Sequence, residues 1–368
     1  MLRLELLQAI TGGLSRLIRD LVRLAFWSTA FDLRTGVELH DGLVIAMDKL
    51  VFVVDGLALN EMLDLKGHTG FRCCVECKNV VLRRYWRAGL YGCVDHTSLD
   101  ELVLHTVQSF QEVLRRLQDG SARLPADEFA ELQIVHGVRY NPDGLFCSNL
   151  GVTPLNIMID WCHTYLVGGL VDHEFGLLMH ALHSRRARTT YEVIGAYVKL
   201  WQWPNHLKKT ANSFAKLFDK QAAKSHLTAK HFGCKASDLL SLIPVLRLYF
   251  DRVALEHGTF RNGIKSILLV FNVVDMLMLT RSRHSTVSEQ MLSTAIMDHL
   301  GAFYEAYGRD VGRPKHHDAR HLPSQYKRFG RLSPCFVQER YHKEPKAYSS
   351  NRSNTTSYEL GLTEDISL

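Results

Sequence analysis

The sharpest chemical signal in this 368-residue chain is the pair Cys74-x2-Cys77. Zinc is held by thiolates and imidazoles about 2.0–2.3 Å from the ion, and a Cys-x2-Cys turn brings two sulfurs together. One such pair is half a site. The nearest second pair is Cys93-x2-His96, after fifteen intervening residues, and Cys73 is a spare neighbour. The competing reading is that these thiols are small buried hydrophobes.

A second candidate is Asp160-x2-His163, which a helix would place on one face, either to bind a metal or to orient one another. An ordinary hydrogen bond on a helix surface is the simpler alternative. Asp55 follows the apolar run Leu50–Val54. A carboxylate at the end of a strand can hold a hard cation against phosphate oxygens, as two-metal phosphoryl transfer requires. The simpler role there is a helix N-cap. Glu339 and Asp318 are the only acids between Arg313 and Lys343. Glu339 is thus a candidate metal-binding acid, against the alternative of a solvated basic face. Trp201, Trp203, Tyr326, Phe329 and Tyr341 could stack nucleobases or pack in a core.

These residues need elements to place them. Hydrophobic residues make up 46% and charged residues 22%, which supports a substantial core and argues against global disorder. Lys and Arg exceed Asp and Glu by 44 to 38, so net charge alone does not point to nucleic acid. Eight sparse cysteines do not form a disulfide framework and suit a reducing intracellular compartment. The first 25 residues are apolar but broken by arginines, as in an amphipathic helix and not a membrane span. The apolar run Ser266–Thr280 contains Asn272 and Asp275 and reads as a buried helix, so no membrane role is expected.

Along the chain, residues 1–24 read as that helix, and 25–98 as short strands carrying the Cys-x2-Cys element. Residues 99–308 read as mainly helical, 309–343 as a basic C-terminal part, and 344–368 as a disordered tail rich in Ser, Asn and Thr. Three apolar helices are expected near 238–257, 262–281 and 286–307. The stretch between Arg185 and Lys235 is basic and interrupted. The fold class this gives is α+β, a small sheet followed by a large helical region.

Several blocks together resemble the CACTA (En/Spm-like) DNA transposases, in a divergent form like the copies found in dinoflagellates. They are Val54-Asp-Gly-Leu-Ala-Leu59 with Lys66-Gly-His-Thr-Gly-Phe-Arg-Cys-Cys-Val-Glu-Cys-Lys-Asn-Val80, then Ile159-Asp-Trp-Cys-His-Thr-Tyr-Leu166. Arg313-Pro-Lys-His-His with His321-Leu322, and Cys335-Phe-Val-Gln-Glu-Arg-Tyr-His-Lys343, follow in family order. The resemblance spans about Phe26 to Lys343. It implies a partial RNase H-like mixed sheet with a large helical insertion, and Asp, Asp and Glu holding two Mg²⁺ for DNA cleavage and strand transfer. Asp55 would be the second acid and Glu339 the third. Cys74 and Cys77 would bind structural Zn²⁺, with His163 completing or supporting that site. Transposon-end DNA would be the partner, with self-association compatible, in the nucleus. One departure stands out: only 54 residues precede Asp55, and no block matches the first catalytic Asp among Asp32, Asp41 and Asp48. The expectation is an N-terminally truncated or decayed copy, inactive by itself. The alternative is a non-enzymatic zinc-stabilised DNA- or protein-binding module, or a helical interaction protein.

Overall fold

The computed structural model describes residues 12–28, 31–38, 42–47, 50–86, 92–282 and 284–336. The first eleven residues of the expected N-terminal helix, the candidate acid Glu339 and the expected disordered tail lie outside them. Within them the fold is mostly helical, with strands of two or three residues paired into four two-stranded sheets. No continuous mixed sheet is formed among the described residues. The cause is local. The β-branched runs are cut by turn glycines such as Gly36 (φ 92°) and by aspartates that start helices directly after a strand. By contact density the chain forms two compact units. One holds residues up to Asp95, Asp100–Met158 and the segment from Cys335; the other holds His96–Leu99 and Ile159–Pro334.

The first unit opens with helix α1 (Gly13–Phe26), whose Arg19 donates to the Asp143 carbonyl at 2.7 Å. Strands β1 (Trp27–Ser28) and β2 (Phe31–Asp32) form one antiparallel ribbon, β3 (Val37–Glu38) and β4 (Val44–Ile45) another. β5 (Phe52–Val54) runs straight into α2 (Gly56–Met62), and β8 (Ile157–Ile159) is its sheet partner. β6 (Val80–Val81) pairs in parallel with β7 (Val94–Asp95). Helix α3 (Val107–Arg123) starts on a reciprocal cap in which Thr106 and Ser109 satisfy each other's backbone N–H. It runs through Gly120 to Arg123, and α4 (Ala126–His136) follows. Phe52, Leu63, Phe110, Leu117, Leu145 and Ile157 form the core beneath these elements. Each such side chain contributes about 1.5–3 kcal/mol on burial.

The second unit is helical: α5 (Trp161–Tyr165), α6 (Leu170–Ser184), α7 (Tyr191–Leu200), α8 (Lys208–Lys216), α9 (Lys220–Ala229), α10 (Ala236–Tyr249), α11 (Arg261–Leu279), α12 (Glu289–Tyr307), α13 (Pro314–Ala319) and α14 (Leu322–Phe329). The three expected apolar helices are α10, α11 and α12, with α11 and α12 packed along one another. The basic stretch after Arg185 folds into α7 to α9 and is held by Phe175, Phe218 and Phe232, the first and last with ring centroids 4.4 Å apart. α11 is long and apolar enough to span a membrane, but Ile264, Ile267, Phe271 and Val274 follow a helical period and are buried within the unit. α10 contains Pro244 and passes into a π-helical turn, Phe250–Ala254.

Candidate metal centre

Backbone contacts position the cysteine half. Gly137 ends α4 at φ 72°, where a Cβ would lie 2.3 Å from the Arg72 carbonyl oxygen. Only glycine allows that approach. Phe71 N–H donates to the Ile134 carbonyl at 2.8 Å, so the segment entering Cys73 and Cys74 is pinned to the end of α4. On the other side Cys77 forms a single antiparallel bridge with Leu104. His105 N–H donates to the Glu76 carbonyl at 2.7 Å and Lys78 N–H to Val103 at 2.8 Å. The Asn79 carboxamide oxygen accepts the Val103 N–H at 2.9 Å. Val80 and Val81, fully buried, anchor the strand that follows. His105 and His136 stand nearby; burial first, and Arg72 next, push both imidazoles down to about 4.

The histidine half is built from helix and side-chain caps. Pro314 opens α13, where its missing N–H costs nothing. His316 Nδ1 accepts the Arg313 N–H at 2.9 Å, and its ring lies 4.4 Å from that of Phe303. Lys315 Nζ donates to the carbonyls of His163, Val167 and Gly168, at 2.6, 3.0 and 3.2 Å, closing the end of α5. Arg320 donates to the Ser98 carbonyl at 2.6 Å, and Gln325 accepts the Ile159 N–H at 2.8 Å. Between these fixed points His317 and His321, both 1% exposed, bring their Nε2 atoms to 3.0 Å. Burial, then His321, Arg320 and His96, holds the His317 imidazole well below its ordinary range. A neutral imidazole offers a lone pair without losing a proton.

Cys74, Cys77, His317 and His321 form one cluster whose ligand atoms all lie within 4.8 Å of one another. Two thiols and two imidazoles are the donor set that structural zinc takes. Tetrahedral bonds of ordinary length would separate the donors by roughly 3.3–3.8 Å; the two imidazole nitrogens stand slightly closer than that, at 3.0 Å, and every pair of donors lies within 4.8 Å. Cys77 and both histidines are buried and Cys74 is half-buried, which leaves little of the ion's shell for water. Among the described residues no other group of three or more His, Cys, Asp or Glu side chains converges in this way. No family model, curated protein or solved structure matches the chain. The geometry of the cluster therefore carries the functional reading.

The half-site at Cys74 and Cys77 is the part of the expected centre that the cluster contains. Its imidazoles come from His317 and His321, whereas the nearest pair in sequence is Cys93 and His96. Cys93 is half-buried and His96 is buried, near enough to His317 to affect its protonation. Asp160 and His163 are partners of each other: Asp160 Oδ2 meets His163 Nδ1, while Oδ1 accepts the Cys162 N–H at 3.0 Å as the cap of α5. Asp55 caps α2, accepting the Ala58 N–H at 2.8 Å. No triad of catalytic acids is evident among the described residues, and Glu339 lies outside them. His317 and His321 are the members of the cluster that spacing to the Cys pair does not reveal. The available signal is His-x3-His within Arg313–His321, since i and i+4 lie on one helical face.

Proposed function

We propose that the chain is a zinc-stabilised, non-catalytic binding protein, in which one Zn²⁺ is held by Cys74, Cys77, His317 and His321. The observation that carries this is the closed donor set: two thiols and two imidazoles, with no carboxylate and three of the four residues buried. Catalytic zinc keeps a position for water or substrate, whereas structural zinc fills all four with protein. Asp55, the leading candidate for a catalytic acid, has an ordinary structural role as a helix cap. The order of blocks that resembles the CACTA transposases supports descent from such a protein, with DNA as the ancestral partner and the nucleus as the compartment. In this reading the metal preserves the scaffold and the cleavage chemistry is gone.

Elemental analysis of protein purified under reducing conditions tests this. One zinc per chain, lost in a Cys74→Ser/Cys77→Ser variant, is the expected result. A zinc-free wild-type protein would overturn the metal centre. Robust Mg²⁺-dependent cleavage of terminal-repeat DNA would restore the nuclease reading.

A further inference from the structure

Residues 185–235 carry eleven Lys and Arg against Glu192 and Asp219, a surplus of nine on a chain whose total is +6. Several other surface charges are neutralised in place. On α3, for example, Glu112 meets Arg115 and Arg116 at 2.9 Å, and Asp119 meets Arg115 at 2.7 Å. On the 185–235 stretch, Lys199, Lys208, Lys216, Lys224 and Lys230 are all exposed. None of these five makes a carboxylate ion pair with a described residue. Lysines crowded without counter-charges repel one another, and a bound polyanion relieves that repulsion.

The same stretch contains a groove of about 620 Å³, within the range of small-molecule sites, with Lys199, Trp201, Gln202, Trp203, Asn205 and Lys208 among its lining residues. Trp203 is fixed: its ring lies 4.6 Å from that of Phe214, and its Nε1–H donates to the Val198 carbonyl at 3.3 Å. Trp201 is only partly covered, beside Leu200, which is 83% exposed. A half-open indole in a groove also lined by two lysines and by Gln202 and Asn205 suits an unstacked base with its phosphates. Single-strand binding relies on this combination of a basic track and an aromatic platform. A duplex would satisfy the lysines but leave the indole unused, because its bases are stacked inside.

We infer that the groove at Lys199–Lys208 binds single-stranded nucleic acid, with Trp201 stacking on a base and Lys199 and Lys208 on adjacent phosphates. This rests on the chain being a binding protein; it does not depend on the zinc site. The test uses the full zinc-loaded chain and a fluorescein-labelled dT20, read by anisotropy and tryptophan quenching over a salt series. Binding should quench tryptophan and weaken steeply as salt rises. Trp201→Ala should weaken dT20 about tenfold while leaving heparin binding unchanged. Lys199→Glu/Lys208→Glu should weaken both ligands. Absence of dT20 binding, or equal losses for dT20 and heparin with Trp201→Ala, would overturn the proposal. So would preference for phosphatidylserine vesicles over dT20. Zinc content is measured on the same samples. Loss of dT20 binding with one zinc per chain defeats this inference alone, and intact binding without zinc defeats the metal centre alone.

Discussion

The two halves of the metal centre are held in opposite ways. The cysteines sit on irregular backbone, fixed by a glycine contact at Gly137, one isolated bridge at Leu104 and a handful of main-chain hydrogen bonds. The histidines sit on helical turns fixed by side chains: Lys315 on three carbonyls, Arg320 on two, His316 on its own N-cap. Each unit also buries titratable groups. Burial pushes the His105 and His136 imidazoles of the first down to about 4; in the second it pushes the His173 imidazole down to about 4 and the Asp172 carboxyl up to about 8, the latter against the pull of the Gly168 N–H, Lys315 and Arg313. A segment without regular structure has few interactions of its own to keep it folded, so it would depend most on an ion bound by the cluster.

The largest expected effect follows from that. Cys77→Ser should abolish stoichiometric zinc and lower stability by at least about 3 kcal/mol, a fraction of the ~10–16 kcal/mol attributed to zinc in small finger peptides. Denaturant melts with zinc analysis check it. Chelation of the wild type should speed amide exchange across 71–81 and 103–105 far more than across 314–329. Equal loss of protection in both would erase the contrast between the halves.

Acid should act next. His105, His136 and His173 titrate at about 4 in the folded chain, against 6.5 for the free side chain. Between those values the unfolded chain binds more protons, so stability falls as pH drops from about 6.5 toward 4. Each tenfold difference in proton affinity between the folded and unfolded states is worth up to about 1.36 kcal/mol. Thiolate and imidazole ligands protonate over the same range, releasing metal. Chelator-treated protein should keep the part of the slope that belongs to His105, His136 and His173. A flat stability profile from pH 7 to 5 in the apo protein would contradict their burial as neutral groups.

Asp172 has the reverse sign. Its folded value near 8 exceeds the ordinary 3.8, so the folded state holds a proton that the unfolded state has released, and stability declines as pH rises from about 4 to 8. Asp172→Asn, which keeps an oxygen for the Gly168 N–H, should add about 1–2 kcal/mol at pH 8 and little at pH 4. A uniform change at both pH values would show that packing decides, not protonation. The smallest effect is that of Asp55→Ala, about 1 kcal/mol from loss of the α2 cap, with zinc content unchanged. A loss of several kcal/mol would mean that Asp55 does more than cap.

The same contrast explains what is legible in the sequence. Cys74-x2-Cys77 can be read directly, because two thiols in one turn have few other uses at that spacing. The apolar periods of α10, α11 and α12 are equally clear. His317 and His321 are hidden among His316 and a run of basic residues, and their distance from Cys77, 240 positions in sequence, removes any spacing rule. Asp55 and Asp160 each follow the last residue of a strand and precede a helix, and capping and catalysis ask for the same residue there. Helices α7 to α9 are hard to see because lysines interrupt their period and each buries only a few side chains, Tyr191, Ile194 and Val198 on α7, Phe214 on α8, Ala223 and His226 on α9.

That separation of 240 residues also has a consequence in time. During synthesis at roughly 5–20 residues per second, Cys77 is made some 12–48 s before His317. For that interval the thiols have neither imidazole partner and depend on a reducing surrounding to stay unoxidised. Cys73 stands beside them as a ready partner for the wrong bond. If the cluster holds zinc, loading competes with oxidation of these thiols while the chain is being made, before the finished fold buries Cys77 and half-buries Cys74.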